Sequence, residues 1–556
     1  MKNKTNLFGF SALAILCFAF SFGVSTAAQE SRPRVKTTPT PQQTPTISPA
    51  PKPTVAPSIS PTPIQIQTVA ELQSKIRLTL ERSELRRGTV GVKIVSLDTN
   101  QTIFEENAEK YFMPASNMKS YTVAAAIEKL SPDFRFVTSV YASAAPAADG
   151  VVKGDLTVYG RGDVSISSAF NDGDYYRGLD ALANKIVQAG VKRIEGNLIG
   201  DESYFTGNPI PQSWEWDDLQ WYYGAEISAL PINDNALDLS VKPSALNAPC
   251  FVQTLPANTI IKIINRCVTV AAGTKRDVRV FKKLDQNTVE VGGTISVGDE
   301  GYKGAIAVSR PAQIFVELLR GLLMQKGVIV TGQNRVVNAQ EKALMIPAPT
   351  VMSVEIAKLE SPPLSVIAAK TLKPSQNAYT ETILWTLGQN AARIPTNDSN
   401  GALADPLSNQ RATSAERGLF VVQNFLQEIG VPSGAVIQWD GSGLSRHNLI
   451  TPASAVQLFT FMSKSRYANH WRDALTVAGV DGTLKNRFKG TIAVNNVRGK
   501  TGTIDQVSSL SGYVTTAAGE RMVFSVIVNG VNSTPTRQAA IDEIVVALAA
   551  FNGKTN

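Results

Sequence analysis

The chain has 556 residues, is 43% hydrophobic and 18% charged, and carries a formal net charge of +8. It is too long for one hydrophobic core, so two or more domains are expected. The first 66 residues hold six Lys and Arg against Glu30 alone, so the remaining body is only weakly basic. It also lacks an arginine-aromatic cluster, so nucleic acid is excluded as a partner. Two histidines, His447 and His470, are too few for a zinc site, and neither metal nor cofactor is expected.

MKNKTN is a short basic opening, followed by the apolar LFGFSALAILCFAFSFGV and the small-residue stretch STAAQE. This pattern reads residues 1–28 as an export signal cleaved after Ala27 or Ala28, and places the protein in the periplasm or cell envelope. The apolar run is close to the shortest that spans a membrane, so a retained anchor stays open. Cys17 would suit a lipid anchor, but Leu16 stands where that signal has a small residue. Residues 29–67 follow, and from Ser31 to Gln67 they contain no aromatic and no acidic side chain. So little apolar surface cannot offset the entropy of ordering, and the prolines favour extended conformations. The stretch is either a semi-rigid spacer between the folded body and a surface, the membrane's included, or an inert leader.

From Thr68 the pattern becomes globular. TVAELQSKIRLTLERSELRR predicts an amphipathic helix, and GTVGVKIVSLDTNQTIFEEN a hairpin with Asp98-Thr99-Asn100 at its turn. YFMPASNMKSYTVAAA opens a second helix near Ser116. Residues 138–360 are mostly short strand-like runs, with helices at GLDALANKIVQAG and AQIFVELLRGLLMQKG. Beyond them come helices at NAYTETILWTLGQN and AERGLFVVQNFLQEIG, strands at VSSLSGYVTT and RMVFSVIVNG, and a last helix at TRQAAIDEIVVALAAFNG. Helix and hairpin in front, strands and helix behind, imply an α+β fold whose antiparallel sheet draws on both chain ends. Residues 68–137 and 361–556 would form that body, with 138–360 inserted. Cys250 and Cys267 could close a short loop with one disulfide.

Ser116 and Lys119 share a helix face at the N-terminal end, where a hydroxyl and an amine side by side can make an activated nucleophile. Alone the pair is weak evidence, since S-x-x-K arises by chance about twice in a chain of this length. Ser375-Gln376-Asn377 stands directly before a helix, and Lys500-Thr501-Gly502-Thr503 at the edge of a strand. K-T-G alone has roughly one chance in ten of arising here. S-x-x-K, S-x-N and K-T-G, in that order, form the signature of penicillin-recognising serine acyl-transferases. Lys119 can act as a base only when neutral. Partial burial and the charge of Lys500 would both lower its pKa.

WDGSGLSRHNLITPAS, Trp439 to Ser454, resembles the D-G-S-G-L-S-R-x-N-x-x-T-P segment of the class C low-molecular-weight penicillin-binding proteins. These are the D-alanyl-D-alanine carboxypeptidases/endopeptidases of peptidase family S13. GRGDVSISSAF and SALPINDNALDLSV are also similar to family segments, although Val164 stands where the family more often has proline. The resemblance implies a β-lactamase/transpeptidase-like domain carrying a large, mostly-β insertion of one or two domains. It also implies a monomeric exported enzyme that cuts peptidoglycan stem peptides and is acylated by β-lactams. On this reading Ser116 is the nucleophile, Lys119 its base and Ser375 a proton relay, while Asn377 holds the substrate amide. The N–H groups of Ser116 and Thr503 would form an oxyanion hole. Lys500, Thr501 and Thr503 would take the terminal carboxylate, and Asp201, in the turn GDESYF, the ammonium of diaminopimelate. A β-lactamase of the same fold and a non-catalytic wall-binding or β-lactam-sensing module are the rival readings.

Three other features compete for attention. Asp440, Ser442 and His447 spell a hydrolase triad without its G-x-S-x-G turn. Arg161-Gly162-Asp163 reads as a turn. WEWDDLQWYYG is either a sugar-stacking platform or aromatic packing.

Overall fold

RMVFSVIVN has apolar side chains on both faces, as a strand covered on both sides requires. In the computed structural model, which describes residues 66–257, 260–284, 286–345, 353–391 and 412–555, it forms the strand Arg521–Asn529. The export signal and nearly all of the spacer lie outside the described residues. Arg521–Asn529 runs between Val507–Thr515 and Thr89–Ser96 in a six-stranded antiparallel sheet. The sheet order is Thr476–Val477, Arg498–Ile504, Val507–Thr515, Arg521–Asn529, Thr89–Ser96, Thr102–Glu106. The expected sheet from both chain ends is therefore present, and the fold is α+β. Asn100 adopts φ of +61° at the hairpin tip, where asparagine is among the residues that tolerate it.

The helices Val69–Leu80 and Thr534–Ala550 cover one face of the sheet, burying Leu72, Ile76, Ile541, Ile544 and Leu548. Thr68 starts the first with a reciprocal cap to Glu71. That helix ends at Leu80 rather than running on to Arg87 as its pattern predicts, and Leu85 turns back into the core. The other face carries the helix Pro452–Lys464, and Lys119–Leu130, Asn377–Asn390 and Ser414–Glu428 pack on one another within the same hydrophobic core. Ala124, Ala125 and Ala126 are all buried, so small side chains let these helices approach closely.

The strand that leaves this body, Val137–Ala142, pairs antiparallel with the one that returns, Val354–Glu360. Both belong to a five-stranded mixed sheet in the order Asn334–Val337, Leu198–Asp201, Leu156–Tyr159, Val137–Ala142, Val354–Glu360. The helices Arg177–Gln188 and Pro311–Gln325 contribute Leu182, Ile186, Phe315 and Leu319 to its core. Three further three-stranded sheets belong to the same insertion, and a disulfide joins Cys250 to Cys267.

Candidate active site

Pro114 cannot continue a strand ladder, and the chain turns there through Ala115–Met118 before the helix Lys119–Leu130 begins. Ala115 is held at φ of +48° and Ser375 at +66°, left-handed conformations that cost non-glycine residues on the order of 1–3 kcal/mol each. Both strained positions belong to predicted catalytic segments. Gly502 lies flat against the Ser116 turn: a Cβ there would sit 2.3 Å from the Pro114 carbonyl oxygen. Only glycine lets the K-T-G strand approach so closely. Asn117 Nδ2 donates to Ser509 Oγ at 2.7 Å, and Ser509 Oγ donates to the Pro114 carbonyl at 2.7 Å, locking the turn to the sheet.

Lys119 Nζ lies 2.9 Å from Ser116 Oγ, 2.6 Å from Asn377 Oδ1 and 2.6 Å from the Ser442 carbonyl oxygen. The orientation of the Asn377 amide follows from its other end, where Nδ2 donates to the Tyr223 carbonyl at 2.8 Å. Asn377 Oδ1 and the Ser442 carbonyl can only accept, so they occupy two N–H bonds of the amine. The remaining position of the nitrogen faces Ser116. Complete burial pushes the Lys119 pKa down to about 7, although Asp440 and Glu381 pull it up. The drop therefore comes from burial and not, as the sequence suggests in part, from the charge of Lys500. The repulsion between the two amines is instead expressed at Lys500, driven well below its usual value by burial first and Lys119 second.

Lys500 Nζ donates to Ser375 Oγ at 2.9 Å and to the Thr501 carbonyl at 2.7 Å. Thr501 is buried and donates its hydroxyl to Thr483 Oγ1 at 2.7 Å, whereas Thr503 is exposed at the strand edge. Hydrogen bonds thus link Ser116, Lys119 and Asn377 in one group, and Lys500, Ser375 and Thr501 in another. Asp201 belongs to neither. It ends the strand Leu198–Asp201 rather than sitting in a turn, and its carboxylate accepts from Lys342 Nζ at 2.7 Å and from the Ser203 N–H at 2.9 Å. Asp163 is fully buried and accepts the Ser165 N–H at 2.9 Å.

One carboxylate, Glu381, escaped the motif reading, and another, Asp440, has a part that its motif letters do not show. Glu381 accepts the N–H groups of Gly441 at 3.0 Å and Ser442 at 2.7 Å. Its i,i+4 spacing from Asn377 on the same helix was the signal that could have found it. Asp440 takes hydrogen bonds from Gly443 N and Ser445 N at 2.7 Å, and from Asn448 Nδ2 and Trp214 Nε1 at 2.8 Å. With its oxygens so occupied and His447 stacked on Trp439, the letters of a triad make none. Among the described residues there is no cluster of three or more His, Cys, Asp or Glu that could hold a metal ion.

A half-buried serine beside a fully buried lysine, backed by S-x-N and K-T-G on an antiparallel sheet, defines the class of penicillin-recognising serine acyl-transferases. The D-Ala-D-Ala carboxypeptidase 3 (S13) family model matches residues 72–551, and the chain belongs to that family of serine peptidases. It is 32% identical over 496 residues to a D-alanyl-D-alanine carboxypeptidase of Actinomadura sp. (strain R39), covering 87% of this chain and 86% of the relative. It is 26% identical to D-alanyl-D-alanine carboxypeptidase DacB of Haemophilus influenzae, over 79% of this chain and 85% of the relative. The crystal structure of penicillin binding protein 4 from H. influenzae shares the fold, with a TM-score of 0.69 at 24% identity, covering 87% and 98% of the two chains. The chain is a D-Ala-D-Ala carboxypeptidase by family.

Proposed function

We propose that Ser116 attacks the carbonyl carbon between the two terminal D-alanines of a peptidoglycan stem peptide. The Oγ–C bond forms as Lys119 takes the hydroxyl proton. The C–N bond then breaks as a proton reaches the leaving amine through Ser375, and water hydrolyses the resulting ester. Lys500, Thr501 and Thr503 receive the substrate carboxylate, Asn377 its amide, and the N–H groups of Ser116 and Thr503 the oxyanion. One such N–H donor is typically worth about 10²–10³ in rate. The same chemistry cuts D-Ala–diaminopimelate crosslinks when the leaving amine belongs to a neighbouring stem, which makes the enzyme an endopeptidase as well. Export to the cell envelope follows from the substrate and from residues 1–28. Asp201 has no part in this reading, because Lys342 already matches its charge.

The arrangement around Lys119 Nζ carries the proposal: two acceptor-only partners leave its third position to Ser116. Incubation with labelled penicillin should add one acyl group to the intact mass, mapped to Ser116 and absent from Ser116→Ala. A folded wild-type protein that takes no label would sink the reaction class.

A further inference from the structure

Hydrolysis of a small peptide needs a nucleophile, a base and an oxyanion hole, all of which lie outside residues 138–360. The insertion nevertheless reaches them. Ser213, Trp214 and Glu215 run alongside the loop that carries Ser442 and make three successive contacts with it. Ser213 Oγ meets Ser445 Oγ at 2.5 Å, Trp214 Nε1 donates to Asp440 Oδ2 at 2.8 Å, and Glu215 pairs with Arg446 at 2.6 Å. Ser213 holds φ of +67° to do so, a strained conformation kept by the contacts around it. Farther along the same segment, the Tyr223 carbonyl accepts from Asn377 Nδ2.

These contacts converge on one atom. The Ser442 carbonyl and Asn377 Oδ1 are the two acceptors that orient Lys119 Nζ. Tyr223 decides which end of the Asn377 amide faces that nitrogen. Trp214 supplies one of the four hydrogen bonds that fill Asp440, and Asp440 in turn ties down the N–H groups of Gly443 and Ser445, just beyond Ser442. Trp214 is buried, while Trp216, two residues on, is exposed. The buried ring of the aromatic segment is therefore packed as part of the site rather than offered to sugar.

We infer that the inserted segment Ser213–Tyr223 is a positioning element of the catalytic centre: Trp214, through Asp440 and the Ser442 carbonyl, aims Lys119 at Ser116. The inference rests on acylation of Ser116 as proposed above. Trp214 touches no reacting atom, so its effect belongs to the acylation step and not to substrate affinity.

Trp214→Phe keeps an aromatic ring at the buried position while removing the donor to Asp440 and the volume of the second ring. Stopped-flow acylation by a fluorescent penicillin separates the limiting rate from the concentration at half-saturation. A lost hydrogen bond to a buried charge should lower the limiting rate about tenfold or more, with half-saturation and the thermal midpoint little changed. An unchanged limiting rate, or a rise in half-saturation alone, overturns the inference. If Trp214→Phe unfolds early, Glu215→Gln tests the same clamp at its exposed end, and a normal limiting rate there overturns it equally. Failure of the wild type to acylate would instead count against the Ser116 reading and is seen in the same experiment.

Discussion

Lys119 is the residue on which the chemistry turns, and its pKa of about 7 has a direct kinetic consequence. The neutral amine is the base, so acylation should rise with pH through about 7 and level off above it, read as limiting rate against pH. Lys119→Arg keeps the charge and removes the base, since arginine stays protonated at any working pH. It should cost about 10²–10⁴ in acylation rate in a protein that still folds. Glu381 is pushed up by burial and by Asp440, while the backbone N–H groups of Gly441 and Ser442, one on each oxygen, favour its anion. As an anion it raises the proton affinity of Lys119, so Glu381→Gln should move the acid limb to lower pH. An unmoved limb would show that Glu381 already carries a proton. None of this was visible in the motif letters: S-x-x-K names the pair, but the depth of burial that makes the lysine a base is a property of packing.

At the scale of elements, legibility followed length and periodicity. Arg521–Asn529, Asn377–Asn390 and Thr534–Ala550 could be read from the chain because nine or more residues carry one consistent pattern. The insertion was readable only as many short strands. Leu156–Tyr159 and Leu198–Asp201 are four residues each and pair in parallel, so their neighbours are set by distant chain rather than by a hairpin turn. Gly502 illustrates a motif letter whose reason appears only in three dimensions. Gly502→Ala would drive a methyl group into the Pro114 carbonyl and Ser509 Oγ, each 2.3 Å away. Overpacking of this kind typically costs about 1–3 kcal/mol. Chemical denaturation should show that loss, and acylation should fall with it as the strand moves off the nucleophile turn.

For the whole molecule, the disulfide and the site lie in different cores. Cys250 and Cys267 belong to the core of the insertion, while Lys119–Leu130 packs in the core of the body. Replacing both cysteines with alanine should lower the stability of the insertion by about 3 kcal/mol, the usual worth of a loop of this size. The penicillin acylation rate should stay as it is; a matching fall would mean that the two cores are not separable. The sheet has a different consequence, one of timing. Asp98 binds Arg521, 423 residues further along, and the strand that begins the fold finds its partner almost at the end of the polypeptide. A nascent chain therefore carries its nucleophile long before it carries Lys500. Arrested before residue 498, it should not react with labelled penicillin, and release should restore the reaction. Such an enzyme needs no inhibitor during its synthesis, because an unfinished copy has nothing to inhibit.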